Sequence, residues 1–369
     1  MTSARLRDAS LSRLSALRGE LRQAGAAAYL ATDAVEVSYL SNFGGHDSYL
    51  FVPARGRPTL ITDFRYAEDA ASDAPHIALC LRKESLVAEV VRLAKRLAGP
   101  LAFNSDTLTC ATRKRLVEQL GAGGVMELPG VVTRLRMHKD ATEVAAITSA
   151  LAITQAAWAD FLKRLRVGLT ETRLAAELEY AFRCHGADGP AYPTICAIGP
   201  SASRPHARPG SRRLRADSLL LCDFGATVGG YCCDLTRMVF LARIRPEVRR
   251  AYQAVLEAQL AAIAVAAPGV RAVDVDAAAR NVLTHYGYGQ AFGHGTGHGF
   301  GREVHEPPSI SPKAADLVLE PGMVITIEPG VYLPGRFGIR IEDDVLITDS
   351  GRRVLSSLPK ALDDVLLKI

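Results

Sequence analysis

The segment Phe292-Gly-His294-Gly-Thr-Gly-His298-Gly-Phe-Gly301 places five glycines around two histidines. Glycine lets the backbone approach a site closely and adopt dihedral angles that other residues avoid. A flexible surface loop is also rich in glycine, but it rarely combines two histidines with flanking phenylalanines. We therefore interpret this segment as part of a functional site. A third histidine, His305, follows in Val304-His-Glu-Pro-Pro308.

Two glutamates lie in strand-like sequence after these histidines. Val324-Ile-Thr-Ile-Glu328 is an apolar strand pattern that ends on a glutamate, and Ile339-Arg-Ile-Glu-Asp-Asp-Val345 predicts another strand. Because successive side chains of a strand point to opposite faces, the second pattern places Arg340, Glu342 and Asp344 on one face.

Two aspartates precede the histidines in the pattern of a hairpin. Leu219-Leu-Leu-Cys-Asp223 leads through the turn Thr227-Val-Gly-Gly230 into Tyr231-Cys-Cys-Asp234. A hairpin brings the two carboxylates together. The alternative is that two aspartates merely flank a turn, which is frequent. The apolar setting of Asp223 favours a shared site, because burying a carboxylate without a partner is very costly.

These segments together supply four carboxylates and one imidazole, namely Asp223, Asp234, His298, Glu328 and Glu342. Divalent cations neutralise such a set, and oxygen ligands with one histidine suit Mn²⁺, Co²⁺ or Zn²⁺. Four anions suffice for two ions. An arrangement without metal would need arginines instead, and only Arg237 and Arg340 lie nearby in the sequence. The pattern therefore predicts a two-metal site.

The composition is that of a globular protein long enough for two domains. Of 369 residues, 48% are apolar and 22% are charged. The net charge of +5 is not concentrated in a basic block, so we expect no nucleic-acid partner. No apolar run suggests a membrane span, and the N-terminus does not resemble a signal peptide. Seven cysteines without zinc-site spacing indicate free thiols, so we expect a cytoplasmic protein.

Hydropathy patterns predict an α/β domain over residues 1–133 and an α+β domain over residues 134–369. Helix and strand patterns alternate in the first part and predict a single sheet. The pattern breaks at Leu128-Pro-Gly130, so the boundary is expected within residues 130–138.

The second domain contains a weak internal repeat. Gly168 and Gly186 recur as Gly269 and Gly287 with the same offset, and each pair encloses a helix pattern. Longer helix patterns precede both units, and strand-rich sequence follows them. The repeat predicts a pseudo-two-fold domain with a site between its halves. Chance is the alternative, since glycine is common after a helix.

In these motifs the chain resembles the pita-bread metallopeptidase family, which includes aminopeptidase P, prolidase, methionine aminopeptidase and creatinase. Residues 138–350 resemble its catalytic domain, and residues 1–130 resemble its creatinase-type N-terminal domain. The ordered match of five ligand positions is specific, whereas any single motif would be weak. The resemblance implies that Asp234 and Glu342 bridge two metal ions. It also implies that Asp223 binds one ion and that His298 and Glu328 bind the other.

The resemblance implies substrate roles for three histidines. His206 matches the histidine that contacts substrate near the scissile bond, although by itself it would be an ordinary loop residue. His305 matches the one that stabilises the tetrahedral intermediate, and His294 matches one that lines the pocket for the residue after the cut. Glu328 is expected to act as general base and then acid. Arg340 is expected to orient metal ligands.

Cysteines next to the aspartates are an alternative set of ligands, comprising Cys222, Cys232 and Cys233. Alternation disfavours them, because it turns each adjacent side chain to the other face. Tyr39 and Phe43 of the first domain are expected in its core rather than at a substrate.

Within the family, the sequence favours an Xaa-Pro aminopeptidase that binds two divalent ions. Mn²⁺ is the expected metal, with Co²⁺ or Zn²⁺ as alternatives. The segments Val304-His-Glu-Pro-Pro308 and Glu328-Pro-Gly-Val-Tyr-Leu-Pro-Gly335 resemble those of proline-specific members. The N-terminal domain argues against methionine aminopeptidase, and the intact ligand set argues against creatinase, which uses no metal. That intact set also disfavours a non-catalytic binding module.

A prolidase acting on Xaa-Pro dipeptides is the alternative activity. It would need a group that captures the free carboxylate of proline, and Arg336 is the candidate in the sequence. The unusual loop Gly44-Gly-His-Asp47 leaves the preferred peptide length open. The resemblance further implies a homodimer or larger assembly, with the N-terminal domain of one subunit near the active-site mouth of another.

Overall fold

The architecture is taken from a computed structural model, which describes residues 3–367. Contacts divide the chain after Arg136 into two compact units. This division lies inside the interval 130–138, where the sequence pattern breaks. The domain limits 1–133 and 134–369 themselves stay a prediction.

The N-terminal unit is built on one sheet. Its strands are β1 (Ala28–Ala31), β2 (Tyr49–Pro53), β3 (Thr59–Thr62), β4 (Ala78–Leu81), β5 (Leu101–Phe103) and β6 (Val125–Glu127). Its helices are α1 (Ser3–Ala24), α2 (Ala34–Ser41), α3 (Ala67–Asp73), α4 (Leu86–Ala94), α5 (Cys110–Leu120) and α6 (Val131–Met137). The strand order is β4-β3-β2-β1-β5-β6. The single sheet expected from the sequence is therefore confirmed.

Both faces of this sheet are covered by apolar side chains. Tyr29 and Ala31 of β1 pack into one cluster, whereas Ala28 and Leu30 pack into the other. The first cluster includes the buried face of α1, and the second includes α4 and α5. Strands buried on both faces read as continuous apolar runs, which explains why β1 shows no polar alternation.

Tyr39 and Phe43 are core residues, as expected. Their side chains are 3% and 0% exposed, and both lie in the cluster that packs against α1.

The C-terminal unit combines four helices with several small sheets. Its helices are α7 (Ala141–Arg164), α8 (Glu171–Cys184), α9 (Pro246–Val265) and α10 (Ala272–His285). Its first strands are β7 (Gly189–Pro190), β8 (Ile195–Ile198), β9 (Leu219–Phe224), β10 (Ala226–Val228), β11 (Tyr231–Cys232) and β12 (Leu235–Leu241). The later strands are β13 (Gly297–Gly299), β14 (Glu306–Ile310), β15 (Val324–Ile327), β16 (Gly330–Leu333), β17 (Phe337–Arg340), β18 (Asp343–Thr348), β19 (Gly351–Val354) and β20 (Leu366–Leu367).

Four sheets form within the described part of this unit, residues 137–367. Their strand orders are β11-β10-β7, β20-β12-β9-β8, β14-β13-β15-β18-β19 and β16-β17. The predicted repeat is visible in the order of elements, because α7 and α8 precede β7 to β12 just as α9 and α10 precede β13 to β19.

Equivalent glycines take the same backbone conformation in the two halves. Gly168 and Gly269 precede the second helix of each half with φ of 96° and 83°, and Gly186 and Gly287 follow it with 92° and 84°. Such positive values favour glycine at these turns. The internal repeat is therefore structural, and the pseudo-two-fold architecture is confirmed.

Helix α7 is long and apolar enough to cross a membrane by length and composition, which the sequence analysis did not anticipate. Its large apolar side chains Leu151, Trp158 and Phe161 are buried in the core of the C-terminal unit. The core helix of a globular domain has the same composition.

The prediction of one continuous strand over residues 339–345 is wrong. It is divided between β17 and β18, which belong to different sheets. At the break, the backbone N–H of Glu342 donates to the carbonyl of Thr236 at 3.3 Å. Arg237 also donates to the Glu342 carbonyl. Strand β12 therefore supplies the backbone partners of Glu342, and this contact switches the chain from one sheet to the other.

Candidate metal centre and active site

The predicted hairpin brings Asp223 and Asp234 together. Strands β9 and β12 pair antiparallel, and Thr236 of β12 lies opposite Asp223 of β9. Asp234 precedes Thr236 by two residues, so it lies close to Asp223. The hydroxyl of Tyr192 lies 2.7 Å from Asp223 Oδ1 and also contacts Asp234 Oδ1. Gly225 makes this approach feasible, because a Cβ there would lie 1.8 Å from the Cys233 carbonyl oxygen.

His298 presents its Nε2 atom to two of the carboxylates. Its Nδ1 lies 3.0 Å from the Gly299 carbonyl oxygen, so Nδ1 carries the proton and donates it there. Nε2 lies 3.3 Å from Glu328 Oε1 and 3.7 Å from Asp234 Oδ2. A carbonyl acceptor on one ring nitrogen is the usual device that leaves the other free to bind a metal.

Glu328 and Glu342 reach the same place from the ends of strands. Glu328 follows β15, and its backbone N–H donates to the Thr296 carbonyl at 2.7 Å. Glu342 Oε2 accepts a hydrogen bond from Thr236 Oγ1 at 2.7 Å. Within residues 3–367, the other oxygen of Glu342, Oε1, is buried and has no hydrogen-bond partner.

The crowded carboxylates favour a positively charged ligand. Burial and the charges of Asp223 and Glu328 raise the pKa of Asp234, and burial and the charge of Asp234 raise the pKa of Glu342. Although burial acts in the opposite direction, their mutual hydrogen bond and charges lower the pKa of Glu328 to about 2 and raise that of His298 to about 9. With all four carboxylates ionised, the cluster would carry more negative charge than His298 and Arg340 neutralise, and a divalent cation would relieve this repulsion.

The donor set fits divalent cations. One ligand atom each from Asp234, His298 and Glu342 lies within 4.8 Å of the others. This spacing is short enough for the three side chains to bind a common ion, and the Glu342 oxygen without a hydrogen-bond partner is available as one of its ligands. Carboxylate and imidazole groups are usual ligands of divalent transition metals.

All five predicted ligands line one cavity of about 470 Å³. The predicted substrate residues His206, His294 and His305 line it too. The structure therefore brings together the five predicted ligands and the three predicted substrate histidines, while their individual roles stay predictions.

The three histidines differ in how firmly they are held. His294 is fixed, because its Nδ1 lies 2.7 Å from the Gly295 carbonyl oxygen and its Nε2 lies 3.0 Å from the Tyr332 hydroxyl. His305 packs with its ring 4.3 Å from that of His298. Burial and the positive charge of His298 lower the pKa of His305. His206 is exposed on the cavity wall.

Arg340 connects the ligands to the surrounding scaffold. Its guanidinium donates to Asp223 Oδ2 at 2.5 Å, to the Tyr332 hydroxyl at 2.7 Å and, through Nε, to Thr236 Oγ1 at 2.9 Å. Thr236 in turn donates to Glu342, so one arginine orients two carboxylates from different strands.

Sequence reasoning missed Tyr192, Thr236 and Tyr332. Each is a single hydroxyl residue without a motif of its own, and only the fold brings it to the ligands. Sequence reasoning also named Arg336 as a candidate carboxylate clamp. Arg336 instead forms an ion pair with Glu247 and is not among the described residues that line the cavity.

The cysteines next to the aspartates point elsewhere. Cys233 Sγ lies 3.0 Å from Thr154 Oγ1, and Cys232 Sγ lies 3.7 Å from Thr227 Oγ1. Neither these two nor Cys222 belongs to the described lining of the cavity.

Family comparisons agree with this architecture. Residues 145–349 match the model of metallopeptidase family M24, and residues 13–138 match that of the creatinase/prolidase N-terminal domain. The uncharacterised peptidase YqhT of Bacillus subtilis is 33% identical over 351 residues, covering 95% of this chain and 99% of the relative.

Solved structures of similar proteins cover almost the whole chain. The Xaa-Pro dipeptidase from Bacillus anthracis is 33% identical with a TM-score of 0.91, over 97% of this chain and 100% of that one. The X-Pro aminopeptidase from Thermotoga maritima MSB8 is 32% identical with a TM-score of 0.88, over 94% and 99%. The prolidase from Pyrococcus horikoshii OT3 is 30% identical with a TM-score of 0.87, over 95% and 99%.

Proposed function

Since the chain belongs to metallopeptidase family M24, we propose that it is a two-metal Xaa-Pro aminopeptidase, which removes the first residue of peptides with proline in second position. The observation that carries this proposal is the convergence of four carboxylates and His298 on one cavity wall, beside three further histidines. The relatives of known structure include enzymes described as acting on Xaa-Pro bonds.

In the proposed site, Asp223, Asp234, His298, Glu328 and Glu342 would hold the two ions. The family resemblance implies that Asp234 and Glu342 would be shared by both ions, that Asp223 would serve one ion and that His298 and Glu328 would serve the other. When bound, such a pair of divalent ions makes water more acidic at neutral pH and polarises a peptide carbonyl. Manganese as the native metal stays a prediction, with cobalt or zinc as alternatives.

The protein's own groups then perform the proton transfers. Glu328 takes the proton of the attacking water and delivers it to the leaving proline nitrogen, acting first as base and then as acid. His305 stabilises the negative charge that develops on the carbonyl oxygen. His206 orients the peptide, and His294, held by Tyr332, forms a wall of the pocket for the proline ring.

A prolidase is the second candidate, and one observation favours it. Arg208 lines the cavity with an exposed guanidinium, which suits the free carboxylate of a dipeptide. A cytoplasmic location and a homodimeric or larger assembly stay predictions from the sequence.

A cleavage panel tests the proposed activity. The metal-free protein is supplied with Mn²⁺, Co²⁺ or Zn²⁺ and assayed on Xaa-Pro dipeptides, Xaa-Pro-Xaa tripeptides and matched Xaa-Ala peptides. We expect cleavage before proline and little before alanine. Equal cleavage of the alanine peptides would refute proline specificity.

Metal dependence is tested separately. We expect two ions per chain by elemental analysis, and we expect the Asp234→Ala variant to lose metal and activity. The loss should exceed the about 10–100-fold effect that is typical of residues behind the ligands. Full activity after chelation, or in this variant, would contradict the two-metal proposal.

A further inference from the structure

A second cavity of the C-terminal unit is rich in arginine. It has a volume of about 1020 Å³ and shares no described lining residue with the candidate active site. Its described lining includes two carboxylates, those of Asp217 and Glu247. Against these it includes six arginines, namely Arg212, Arg213, Arg215, Arg243, Arg245 and Arg336. The cavity therefore has an excess of positive charge that the proposed reaction does not use.

The register of one sheet gathers arginines from separate chain segments. Strands β9 and β12 pair antiparallel, and beyond their last pair the Leu241 backbone N–H donates to the Ser218 carbonyl at 3.0 Å. The residues just before β9 and those just after β12 therefore lie at the same end of the sheet. Arg215 comes from the first of these segments and Arg243 from the second, and both line the cavity.

Three of the six arginines have no carboxylate partner within residues 3–367. Arg212 donates from Nε to Ser201 Oγ at 3.2 Å, and Arg213 donates to the Gly168 carbonyl at 2.8 Å. In the same part of the chain, the side chain of Arg215 has neither a hydrogen bond nor an ion pair. A neutral oxygen holds a guanidinium in place but does not compensate its charge. These three groups therefore remain available to an anion.

The other three arginines are paired only with exposed or shared carboxylates. Arg243 lies 3.8 Å from Asp217, and the two side chains are 76% and 61% exposed. Arg245 and Arg336 share the single carboxylate of Glu247. Exposed ion pairs contribute little to stability, so an anion with several charges can compete for these guanidiniums.

The N-terminus of α9 adds positive potential at the same cavity. The helix begins at Pro246, and its N-cap residue Arg245 makes no side-chain hydrogen bond to the helix. Glu247 and Val248 of the first turn line the cavity. The first N–H groups of a helix have no partner inside it, and the helix dipole places partial positive charge there. This helix end therefore favours an anion in the space that the arginines surround.

A chain of phosphate groups suits this arrangement better than a single carboxylate. Each phosphate offers several acceptor oxygens, and the planar fork of a guanidinium binds two of them in parallel. Three uncompensated guanidiniums exceed the charge of one carboxylate, whereas a diphosphate or triphosphate carries enough charge for all of them. The volume of the cavity suits a small molecule, since ligand sites usually measure about 300–1,000 Å³.

We propose that this cavity binds a small anion with two or more linked phosphate groups, either an inorganic polyphosphate or a nucleoside diphosphate or triphosphate. The inference goes beyond the proposed peptidase activity and does not depend on it, because the two cavities share no described residue.

Isothermal titration calorimetry of the metal-loaded protein provides the first test. The ligands are tripolyphosphate, ATP and adenosine, each with Mg²⁺ in excess so that the phosphates do not extract the protein's metal ions. We expect tripolyphosphate and ATP to bind and adenosine not to bind. Equal affinities would assign the site to the phosphate chain alone, and tighter binding of ATP would assign it to a nucleotide. Failure of both phosphates to bind at about 1 mM would overturn the proposal.

Two substitutions show where the phosphate binds. Arg215→Gln and Arg243→Gln each remove an exposed guanidinium from the cavity. Because hydrogen bonds to charged groups are strong, we expect the Kd for tripolyphosphate to rise about tenfold or more in each variant. Arg249→Gln is the matched control, since Arg249 is an exposed arginine of α9 outside the described cavity lining. It should bind tripolyphosphate as the wild-type protein does.

Thermal unfolding and metal content are measured in all three variants, to show that each keeps its fold and its candidate metal centre. Binding should also weaken as NaCl is added, because salt screens exposed charges. An unchanged Kd in both Arg215→Gln and Arg243→Gln would overturn the proposal and place the phosphate elsewhere, for example at the metal ions. An equal rise of the Kd in Arg249→Gln would also overturn it, since the effect would then come from the overall charge of the protein.

Discussion

The carboxylate of Glu328 lies between two positive groups at the candidate metal centre. Its Oε1 lies 3.3 Å from His298 Nε2, and its Oε2 lies 3.8 Å from Arg340 Nε. A Glu328→Gln variant keeps the size of the side chain but cannot accept the proton of water. General acid–base catalysis contributes about 10²–10⁴-fold to enzyme rates, and we expect a kcat loss in this range.

Metal content must be measured together with kcat in this variant, because the substitution also weakens a proposed ligand. The exposed Glu320 of the same unit serves as the matched control for a Glu→Gln change. Near-normal kcat with both ions bound would remove Glu328 from proton transfer.

Arg340 is the second residue whose role is testable by a single substitution. It donates to Asp223, Thr236 and Tyr332 from different nitrogens, and a lysine cannot reproduce this planar geometry. We expect Arg340→Lys to lower metal affinity or kcat/KM about 10–100-fold, as is typical of residues that orient metal ligands. Metal titration and steady-state kinetics measure the two effects.

Arg336 provides the matched control for this substitution. Its pairing with Glu247 is exposed on both sides, with side chains that are 58% and 41% exposed. Exposed ion pairs contribute little, so Arg336→Lys should behave as wild type. If Arg340→Lys and Arg336→Lys lower metal affinity and kcat/KM equally, Arg340 acts through general stability alone.

The hairpin that carries Asp223 and Asp234 depends on one close contact. A Cβ at residue 225 would lie 1.8 Å from the carbonyl oxygen of Cys233, which is a backbone atom and cannot move aside as the end of a flexible side chain could. We expect Gly225→Ala to destabilise the C-terminal unit by about 1–3 kcal/mol, the usual cost of an overpacked position. Thermal unfolding should show a Tm lower by several degrees.

Gly293 is the matched control in the same unit. It is exposed, and a Cβ there would have no neighbour within 4 Å. Gly293→Ala should therefore leave the Tm close to that of wild type. A wild-type Tm in Gly225→Ala would show that the hairpin relaxes without cost.

Regular elements were predictable wherever the apolar pattern and a turn signal agreed. The apolar runs Tyr49–Pro53 and Thr59–Thr62 flank a turn with glycine and proline and predict two strands, and β2 and β3 have these bounds. The long helix patterns before the two units of the repeat cover residues 143–165 and 247–266, and α7 and α9 begin and end within two residues of them. The break between β17 and β18 was not predictable in this way. It depends on contacts between Glu342 and strand β12, whose Thr236 is 106 residues away in the chain.

The candidate site was likewise predictable only where a residue belongs to a local sequence pattern. Its ligands were recognisable because each lies within or at the end of a strand or hairpin pattern, or within the glycine-rich segment. Tyr192 carries no such signal, since its contacts with Asp223 and Asp234 arise from packing across the unit. Arg208 could have been noted as a charge near His206, but only the fold shows that it lines the cavity whereas Arg336 pairs with Glu247.

At the scale of the whole molecule, the N-terminal unit contributes none of the proposed metal ligands. It does expose apolar side chains at one edge of its sheet. Phe64 is 82% exposed, and Leu79 and Leu81 of the edge strand β4 are 41% and 45% exposed. Unpaired strand edges and exposed apolar residues are features of surfaces that associate with another chain.

An ion pair links the chain next to Phe64 with the chain next to Leu81. Asp63 accepts a hydrogen bond from Arg82 at 3.1 Å, and Thr62 of β3 pairs with Leu81 of β4. Asp63 also accepts from Arg65, and the two arginines fix the turn from which Phe64 projects. The backbone next to Phe64 is thus held by hydrogen bonds of Asp63.

The predicted homodimer or larger assembly can be tested through these exposed apolar residues. Light scattering of the wild-type protein should give a mass of at least twice the 39.5 kDa of one chain. Phe64→Ser removes an apolar side chain that is 82% exposed, and we expect it to shift the equilibrium towards the monomer. Val167→Ser is the matched control, since Val167 is a 54% exposed residue of the C-terminal unit. A wild-type protein that stays at 39.5 kDa at working concentration would refute the assembly, because mass action at high concentration favours association. If the wild-type protein is an oligomer and Phe64→Ser does not change its mass, the predicted assembly is confirmed but its interface does not include Phe64 and β4.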